Sequence, residues 1–127
     1  MGCSCQIDMD INETCGVLYD KIIKARKNHK CIECSRTIKR GERYRKEHTI
    51  YEGYFDEYKT CLDCNSIREN LFCGFYYGSI RQNFVDELSN NKGQISEDCI
   101  AALTPAAREW VCNKIDEYWE IYCYDDE

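Results

Sequence analysis

The sequence predicts an α+β fold in one domain. Three observations lead to this class: the length, two pairs of closely spaced cysteines, and a change of residue pattern along the chain. The 127 residues suit a single domain. Residues 21–78 are rich in cysteine, tyrosine and basic side chains, whereas residues 79–127 show helical periodicity and helix caps. We therefore predict an N-terminal lead with a Cys-x-Cys at residues 1–20, a cysteine-rich hairpin module at 21–78, and a helical part at 79–127 that packs on it.

Eleven cysteines are the most unusual feature of the composition. The N-terminus carries neither a basic stretch nor an apolar core, so no secretory signal is expected. No apolar run approaches the roughly 20 residues of a membrane helix, so no membrane span or membrane partner is expected. A cytoplasmic protein keeps its thiols reduced, and an odd number of cysteines cannot all pair within one chain. The cysteine content therefore favours metal binding.

Four of the cysteines form two pairs, Cys31-x-x-Cys34 and Cys61-x-x-Cys64. A gap of two residues lets both sulfurs of a pair reach one ion about 2.3 Å away, and four thiolates complete a tetrahedral shell around zinc. Such a shell leaves no open position for water or substrate, so the predicted zinc ion is structural. A redox dithiol is the alternative, but that chemistry needs one such pair and not two.

The segments around these pairs predict the first half of the fold. Runs of β-favouring residues at Glu42–Tyr51 and Tyr54–Thr60 flank Glu52-Gly53 and indicate a hairpin between the pairs. Asn65–Phe72 looks helical, and a helix that starts near the second pair stabilises thiolate charge. A cysteine knuckle, a hairpin and a second pair that opens a helix occur in this order in the treble-clef zinc finger.

The remaining cysteines leave a second metal site open. Cys3-x-Cys5 is closely spaced, Cys73 follows the predicted helix, and His29 stands just before the first pair. These four side chains offer the ligand set of a second zinc ion. The alternative is a pair of free N-terminal thiols, a small buried Cys73 and a hydrogen-bonded surface His29. The sequence thus predicts one structural zinc ion and leaves open whether a second zinc ion is bound.

Local sequence signals predict three helices in the second half. Ser79 and Ser96 are suited to cap the first two helices, which the turn Asn90–Gly93 separates. Thr104-Pro105 opens the last helix with proline at its first position, where it costs nothing. The apolar residues that would face the core recur at helical spacing: Ile80, Phe84, Leu88, Ile100, Leu103, Val111, Ile115, Tyr118 and Tyr122.

The net charge of −6 hides a strong asymmetry. Residues 21–50 hold 11 basic and three acidic residues, a net of +8, and the rest of the chain holds six basic and 20 acidic residues, a net of −14. The basic lobe at residues 21–50 indicates nucleic-acid binding as an alternative function. Its candidate contacts are five side chains: Lys39, Arg40, Arg43, Arg45 and Lys46.

The residues around the cysteine pairs also resemble a known group of proteins. The matching stretches are Ala25–Cys34, Gly41–Tyr44, Tyr58–Cys64, Cys3-x-Cys5, Phe72-Cys73-Gly74 and Tyr77-Gly78. As a set, they are similar to small, mostly uncharacterised bacteriophage and prophage proteins with a treble-clef (CxxC…CxxC) zinc finger. The resemblance implies an accessory protein in the cytoplasm of a bacterial host, with a structural zinc finger and no reaction of its own. Such proteins are often candidates for disabling host enzymes or defence systems, so a host protein is the implied partner.

The sequence disfavours an enzyme. HNH-type nucleases built on this finger need a histidine general base on the hairpin and a further His or Asn on the helix to hold a catalytic metal. His48 and Asn65 stand at such positions, yet the chain has two histidines and no Asp-His or His-His pair. We expect instead a non-enzymatic module that binds and modulates or inhibits a host protein, because ten tyrosines supply interface area. Nucleic-acid binding is the alternative, and a degenerate HNH-like nuclease is the less favoured one.

Overall fold

Five strands and four helices make up the part of the chain that the computed structural model describes, residues 6–7 and 15–122. The strands are β1 Gly16–Lys24, β2 His29–Lys30, β3 Thr37–Ile38, β4 Arg43–Tyr51 and β5 Tyr54–Cys61. The helices are α1 Leu62–Leu71, α2 Ile80–Glu87, α3 Glu97–Ala101 and α4 Pro105–Tyr122. The fold class is α+β, as the sequence predicts. Within the described ranges, no helix has the length and apolarity that a membrane crossing requires.

The predicted hairpin is confirmed, and a strand that the sequence analysis does not predict joins it. β4 and β5 pair antiparallel around Glu52-Gly53, and β1 pairs with the other edge of β4, which gives the sheet order β1-β4-β5. Most residues of β1 are exposed, and its register is irregular between Val17 and Tyr19. A strand that is exposed on both faces does not need alternating apolar and polar residues, which are the sequence signal for a strand. β1 also runs across residue 20, where the sequence analysis places the end of the N-terminal lead.

The two faces of this sheet have different surroundings. Successive residues of a strand point to opposite faces. Arg45 and Glu47 of β4 contact side chains of α1, so we call their side the helix face. Lys46 and His48 point to the other side, which we call the open face. Register places seven side chains on the open face among those used below: Tyr19, Lys21, Lys46, His48, Phe55, Glu57 and Lys59.

The main core lies between α1 and the three later helices. Among the described residues its buried members are Ile7, Ile67, Leu71, Ile80, Phe84, Leu88, Cys99, Leu103, Ala107 and Val111. Ile80, Phe84 and Leu88 are 0%, 0% and 3% exposed, which confirms the helical spacing predicted for α2. Partly buried residues of the predicted stripes pack against this core: Ile100, Ile115 and Tyr118. The side chain of Tyr122 lies outside the described residues.

Two of the three predicted helix starts have the expected local feature. The Ser96 hydroxyl accepts a hydrogen bond from the Asp98 N–H at 3.2 Å, and Pro105 is the first residue of α4. Ser79 is at the N-cap position of α2, as predicted, but its side chain makes no capping hydrogen bond. The carboxylate of Glu33, from the other half of the chain, takes this role instead.

The turn predicted at Asn90–Gly93 also packs against α4. Gly93 has a φ of +68°, which favours glycine, and a Cβ there would lie 2.5 Å from Cδ1 of Tyr118. The indole Nε1–H of Trp119 donates to the Gly93 carbonyl at 3.2 Å. Close approach of the backbone to two aromatic rings therefore requires glycine at this position.

Candidate metal centre

Four sulfur atoms meet where the two Cys-x-x-Cys pairs come together. The Sγ atoms of Cys31, Cys34, Cys61 and Cys64 all lie within 4.8 Å of one another, and those of Cys34 and Cys61 are 3.9 Å apart. A tetrahedral ion with sulfur bonds of about 2.3 Å requires sulfur–sulfur edges of about 3.8 Å. Three of the four cysteines are buried and Cys34 is half-buried. The residues predicted as zinc ligands therefore form a cluster of the size that one four-coordinate metal ion needs.

Short local elements hold the two pairs in place. The first pair lies on a tight turn between β2 and β3, where the Ser35 N–H donates to the Cys31 carbonyl at 2.9 Å. The second pair begins at Cys61, which is both the last residue of β5 and the N-cap of α1. The Ile32 N–H donates to the Lys59 carbonyl at 2.8 Å and joins the turn to β5. The hairpin thus returns the chain to the first pair.

Backbone N–H groups point at the sulfur atoms. The N–H groups of Glu33 and Cys61 each donate to Cys31 Sγ at 3.3 Å, and the Cys64 N–H donates to Cys61 Sγ at 3.5 Å. Hydrogen bonds to the charged form of a group favour that form, and the N-terminus of α1 adds partial positive charge. The site therefore favours thiolates, which are the form of cysteine that binds metal.

The pKa values of Cys31 and Cys64 are shifted in opposite directions within the cluster. Side-chain hydrogen bonds from Cys61 and Cys64 lower the pKa of Cys31 to about 3. Side-chain hydrogen bonds with Cys31 and Cys61, together with burial and repulsion from these two groups, raise the pKa of Cys64 far above its usual range. Negative charge is therefore favoured at Cys31 and opposed at Cys64. A bound divalent cation resolves this conflict, because its charge offsets that of the thiolates.

Two side chains tie α2 to the cysteine cluster. Glu33, which lies between the first two cysteines, accepts hydrogen bonds from the N–H groups of Gly78 at 2.8 Å and Ile80 at 3.0 Å. The guanidinium Nε–H of Arg81 donates to Cys64 Sγ at 3.1 Å. Neither contact is predictable from local spacing, because Glu33 and Ile80 are 47 positions apart and Cys64 and Arg81 are 17 positions apart.

The residues predicted for a second zinc ion are described only in part. Cys3 and Cys5 lie outside the described residues. Cys73 is in a disulfide bond, which is the oxidised alternative to a thiolate ligand. The His29 ring lies beside Tyr44, with the ring centroids 5.3 Å apart. Neither His29 nor Cys73 belongs to the metal-sized group found among the described residues, so the second site stays a prediction.

The five basic residues predicted to contact nucleic acid do not share one surface. Arg45 points to the helix face, where two carboxylates and an amide bind its guanidinium. Lys46 points to the open face. Arg43 is exposed at the start of β4, and Lys39 and Arg40 are exposed in the loop before it. These side chains are therefore divided among a loop and two opposite faces of the sheet.

His48 and Asn65, the positions weighed for a nuclease, lie on opposite sides of the sheet. The His48 ring is on the open face, 5.3 Å from the ring of Tyr19 and with Nε2 3.6 Å from a Glu57 carboxylate oxygen. Asn65 accepts a hydrogen bond from Arg45 Nη1 at 2.9 Å on the helix face. The two side chains therefore do not converge on a common metal ion.

No protein-family model, curated protein or solved structure matches this chain. The cluster is therefore interpreted from its own geometry and chemistry.

Proposed function

We propose that the four cysteines bind one structural zinc ion in a treble-clef finger, and that this finger holds together a non-enzymatic binding module. The observation that carries the proposal is the cluster of four sulfur atoms within 4.8 Å of one another. The turn at residues 31–36 between β2 and β3, which we call the cysteine turn, is followed by the β4–β5 hairpin and α1, and this order supports the treble-clef assignment. Four protein thiolates close the coordination shell, which supports a structural role for the metal.

The donor set favours zinc among the metals that proteins use. Thiolates are soft ligands that select zinc, copper(I) or iron–sulfur centres over magnesium or calcium, and a tetrahedral shell of four sulfurs suits zinc. Four thiolates around a divalent ion leave a net charge of about −2, and Arg81, 3.1 Å from Cys64 Sγ, offsets part of it. Zinc binding in small domains contributes on the order of 10 kcal/mol to folding.

Metal analysis of the purified full chain tests this step. We expect close to one zinc ion per chain by plasma mass spectrometry, and loss of that ion and of the cooperative melting transition in Cys31→Ser. Cys112→Ser is the matched control, because Cys112 is a half-buried free thiol on α4 and is not part of the cluster. If Cys31→Ser is insoluble, cobalt replacement in the wild-type chain reports a tetrahedral thiolate site by its absorption spectrum. Full zinc content and an unchanged melting temperature in Cys31→Ser would contradict the proposal.

A protein partner is the use that the exposed apolar residues support best. Val17 and Leu18 at the start of β1 and Tyr54 at the hairpin turn lie at the same end of the sheet, and we call them the tip surface. Their exposed fractions are 54%, 59% and 74%. Grouped apolar side chains that stay in water mark interaction sites, and tyrosine is favoured at interface hot spots. The resemblance to phage proteins adds the expectation that the partner is a host protein, which the chain modulates or inhibits.

A pull-down from nuclease-treated bacterial lysate tests the tip surface. We expect the tagged wild-type chain to recover one partner near stoichiometric yield, and Leu18→Ser/Tyr54→Ser to lose it. Tyr76→Ser is the control, since Tyr76 is 48% exposed and lies outside the sheet. Equal recovery by the tip variant and the control would reject this surface.

The two alternative functions differ in their support. A degenerate HNH-like nuclease needs His48 and Asn65 at one metal ion. Their placement on opposite sides of the sheet gives no support to this alternative. Nucleic-acid binding receives support from the open face rather than from the loop and helix-face residues of the basic lobe.

A further inference from the structure

A row of three lysines crosses the open face. Lys21 of β1 is the register partner of Lys46 of β4, and Lys46 is the register partner of Lys59 of β5. Neighbouring strands lie about 4.8 Å apart, so these three side chains stand next to one another across about 10 Å. Like charges directly opposite each other destabilise a sheet. The row is therefore costly unless an anion covers it.

One carboxylate beside the row neutralises it only in part. The carboxylate oxygens of Glu57 lie 3.3 Å from Lys46 Nζ and 3.4 Å from Lys59 Nζ. Lys21 contacts the ring of Tyr19 instead, with its Nζ 5.7 Å from the ring centroid. Three lysines and one glutamate leave an excess of two positive charges on this face, and His48 adds a third when it is protonated.

Aromatic rings lie next to the lysine row on the same face. Tyr19 and His48 are register partners whose rings meet edge to face at 5.3 Å. Phe55, two residues before Glu57 on β5, is 70% exposed. Exposed flat rings stack on nucleic-acid bases that are not paired. The lysine row and the rings thus lie side by side on a face only three strands wide.

A shallow depression continues the row beyond Lys59. Its volume is about 430 Å³, and Lys30 of β2 and Ser35 of the cysteine turn line it together with Glu57 and Lys59. Lys30 supplies a further ammonium group and Ser35 a hydroxyl, and both are donors that phosphate oxygens accept. The positive surface therefore extends from β1 to the edge of the metal cluster.

We propose that the open face binds a single-stranded polynucleotide, with phosphates on Lys21, Lys46 and Lys59 and bases against Tyr19 and Phe55. The excess positive charge fits a polyanion, and the exposed rings fit one whose bases are unpaired. This inference goes beyond the proposed function, because the open face is separate from the tip surface. The surface also differs from the predicted basic residues, with which it shares Lys46 alone.

Fluorescence anisotropy with a labelled oligothymidylate of about 20 nucleotides tests the proposal on the zinc-loaded full chain. At about 50 mM salt, we expect Lys46→Ala/Lys59→Ala to weaken binding at least about tenfold and to lower the salt slope by about 1.4, because two phosphate contacts to a single strand are lost. Phe55→Ala should weaken binding by about fivefold or more with the salt slope unchanged, since it removes stacking. Glu57→Gln should tighten binding, because it removes the competing carboxylate.

The matched control is Lys39→Ala/Arg40→Ala, which removes the same charge from the exposed loop and should change affinity by less than about twofold. Each variant is compared only if its zinc content and melting temperature match the wild type, and Lys46→Gln/Lys59→Gln replaces the alanine variant if they do not. Equal weakening by the loop control, or equally tight binding of a duplex, would overturn the proposal. Absence of oligonucleotide binding by the wild-type chain would also overturn it. The same holds if Lys46→Ala/Lys59→Ala keeps its oligonucleotide affinity and instead loses a protein partner in the pull-down.

Discussion

We call the half of the molecule with the cysteine cluster the metal-binding half, after its proposed function, and this half and the helical half bury different kinds of side chain. The buried cluster around β2–β5 is Ala25, Cys31, Ile38, Tyr44, Cys61 and Cys64, so three of its six residues belong to the metal cluster. The core between α1 and the later helices has ten buried residues among those described, nearly all of them aliphatic or aromatic. Where the chain buries little apolar surface, the proposed metal ion would supply the free energy that a core would otherwise provide.

Helix α1 belongs to both halves and connects them. Cys64 lies in the metal cluster, whereas Ile67 and Leu71 lie in the helical core one and two turns later. Glu33 adds a second connection, because it caps α2 from the cysteine turn. The halves thus have separate cores and shared contacts, and this difference can be measured.

Metal removal should have the largest effect and should separate the two halves. Chelation takes away on the order of 10 kcal/mol from the metal-binding half. We expect hydrogen exchange, read by mass spectrometry, to lose protection first in β2, β3 and the start of α1. Protection in α4 should fall less, because Val111 and its neighbours pack in the apolar core. Acid should act like a chelator, since protons compete with metal for thiolates.

The control for this experiment is the chelated chain reloaded with zinc, which should recover full protection. A uniform loss of protection across both halves would mean that the domain unfolds as one unit, and the comparison would then fail.

The second largest effect is expected at the buried ion pair between the sheet and α1. Arg68 Nη1 lies 3.0 Å from Glu47 Oε1, both side chains are nearly fully buried, and the Tyr77 hydroxyl donates to Glu47 at 2.8 Å. Arg68→Met removes the closer of the two guanidinium groups beside the buried Glu47 carboxylate and leaves only Arg45, whose Nε is 3.9 Å away, so we expect a cost of about 3–5 kcal/mol. Urea unfolding of the zinc-loaded chain measures it. Glu47→Leu/Arg68→Met should recover most of the loss, and a double variant as unstable as the single one would show that the charge itself is not the cause.

Local sequence signals predicted the elements and the ligands that depend on near neighbours. Spacing and turn chemistry over a few residues predict the two cysteine pairs and the hairpin. They also predict the Ser96 cap of α3 and the start of α4 at Pro105. The burial of Ile80 and its repeats on α2 follows from helical periodicity in the same way. These features were predictable because the physics that fixes them acts within one or two turns of chain.

Contacts between distant segments could not be predicted in this way. Strand β1 was missed because both of its faces are largely exposed, so burial leaves no alternation in its sequence. The contacts of Glu33 with α2 and of Arg81 with Cys64 depend on how two halves meet in space. The lysine row depends on the register of three strands, which is a tertiary property. Lys21 and Lys59 are 38 positions apart in the sequence and align only through β4.

The cap that Glu33 provides should give a smaller effect and should sharpen the comparison further. Glu33→Ala removes hydrogen bonds to the Gly78 and Ile80 N–H groups, and we expect a loss of about 0.5–2 kcal/mol, as for other helix caps. Zinc content should stay complete, because Glu33 is not a ligand. Glu120→Ala, an exposed carboxylate on α4, is the control and should be nearly neutral. Equal effects of the two substitutions would remove Glu33 as a connection between the halves.

The smallest effect is expected where β1 is attached to the sheet by charge. The side-chain hydrogen bond from Arg45 holds the pKa of Asp20 below its ordinary value. A carboxylate whose pKa is lower in the folded state stabilises the fold fully at pH values above its unfolded pKa of about 4. This contribution is lost as the pH falls through the folded pKa. Asp20→Asn should therefore cost about 0.2–1 kcal/mol, since the pair is partly exposed.

Urea unfolding of the zinc-loaded chain at several pH values checks the sign of this effect. The difference between Asp20→Asn and wild type should stay constant between about pH 5 and about pH 8, because Asp20 is ionised in both states over this range. Asp116→Asn, on the exposed side of α4, is the control and should show no difference. A difference that shrinks steadily from about pH 8 to about pH 5 would show that the Asp20 carboxyl titrates there, against the lowered pKa. A constant, small difference would show that the Asp20–Arg45 pair contributes little to the stability of this half.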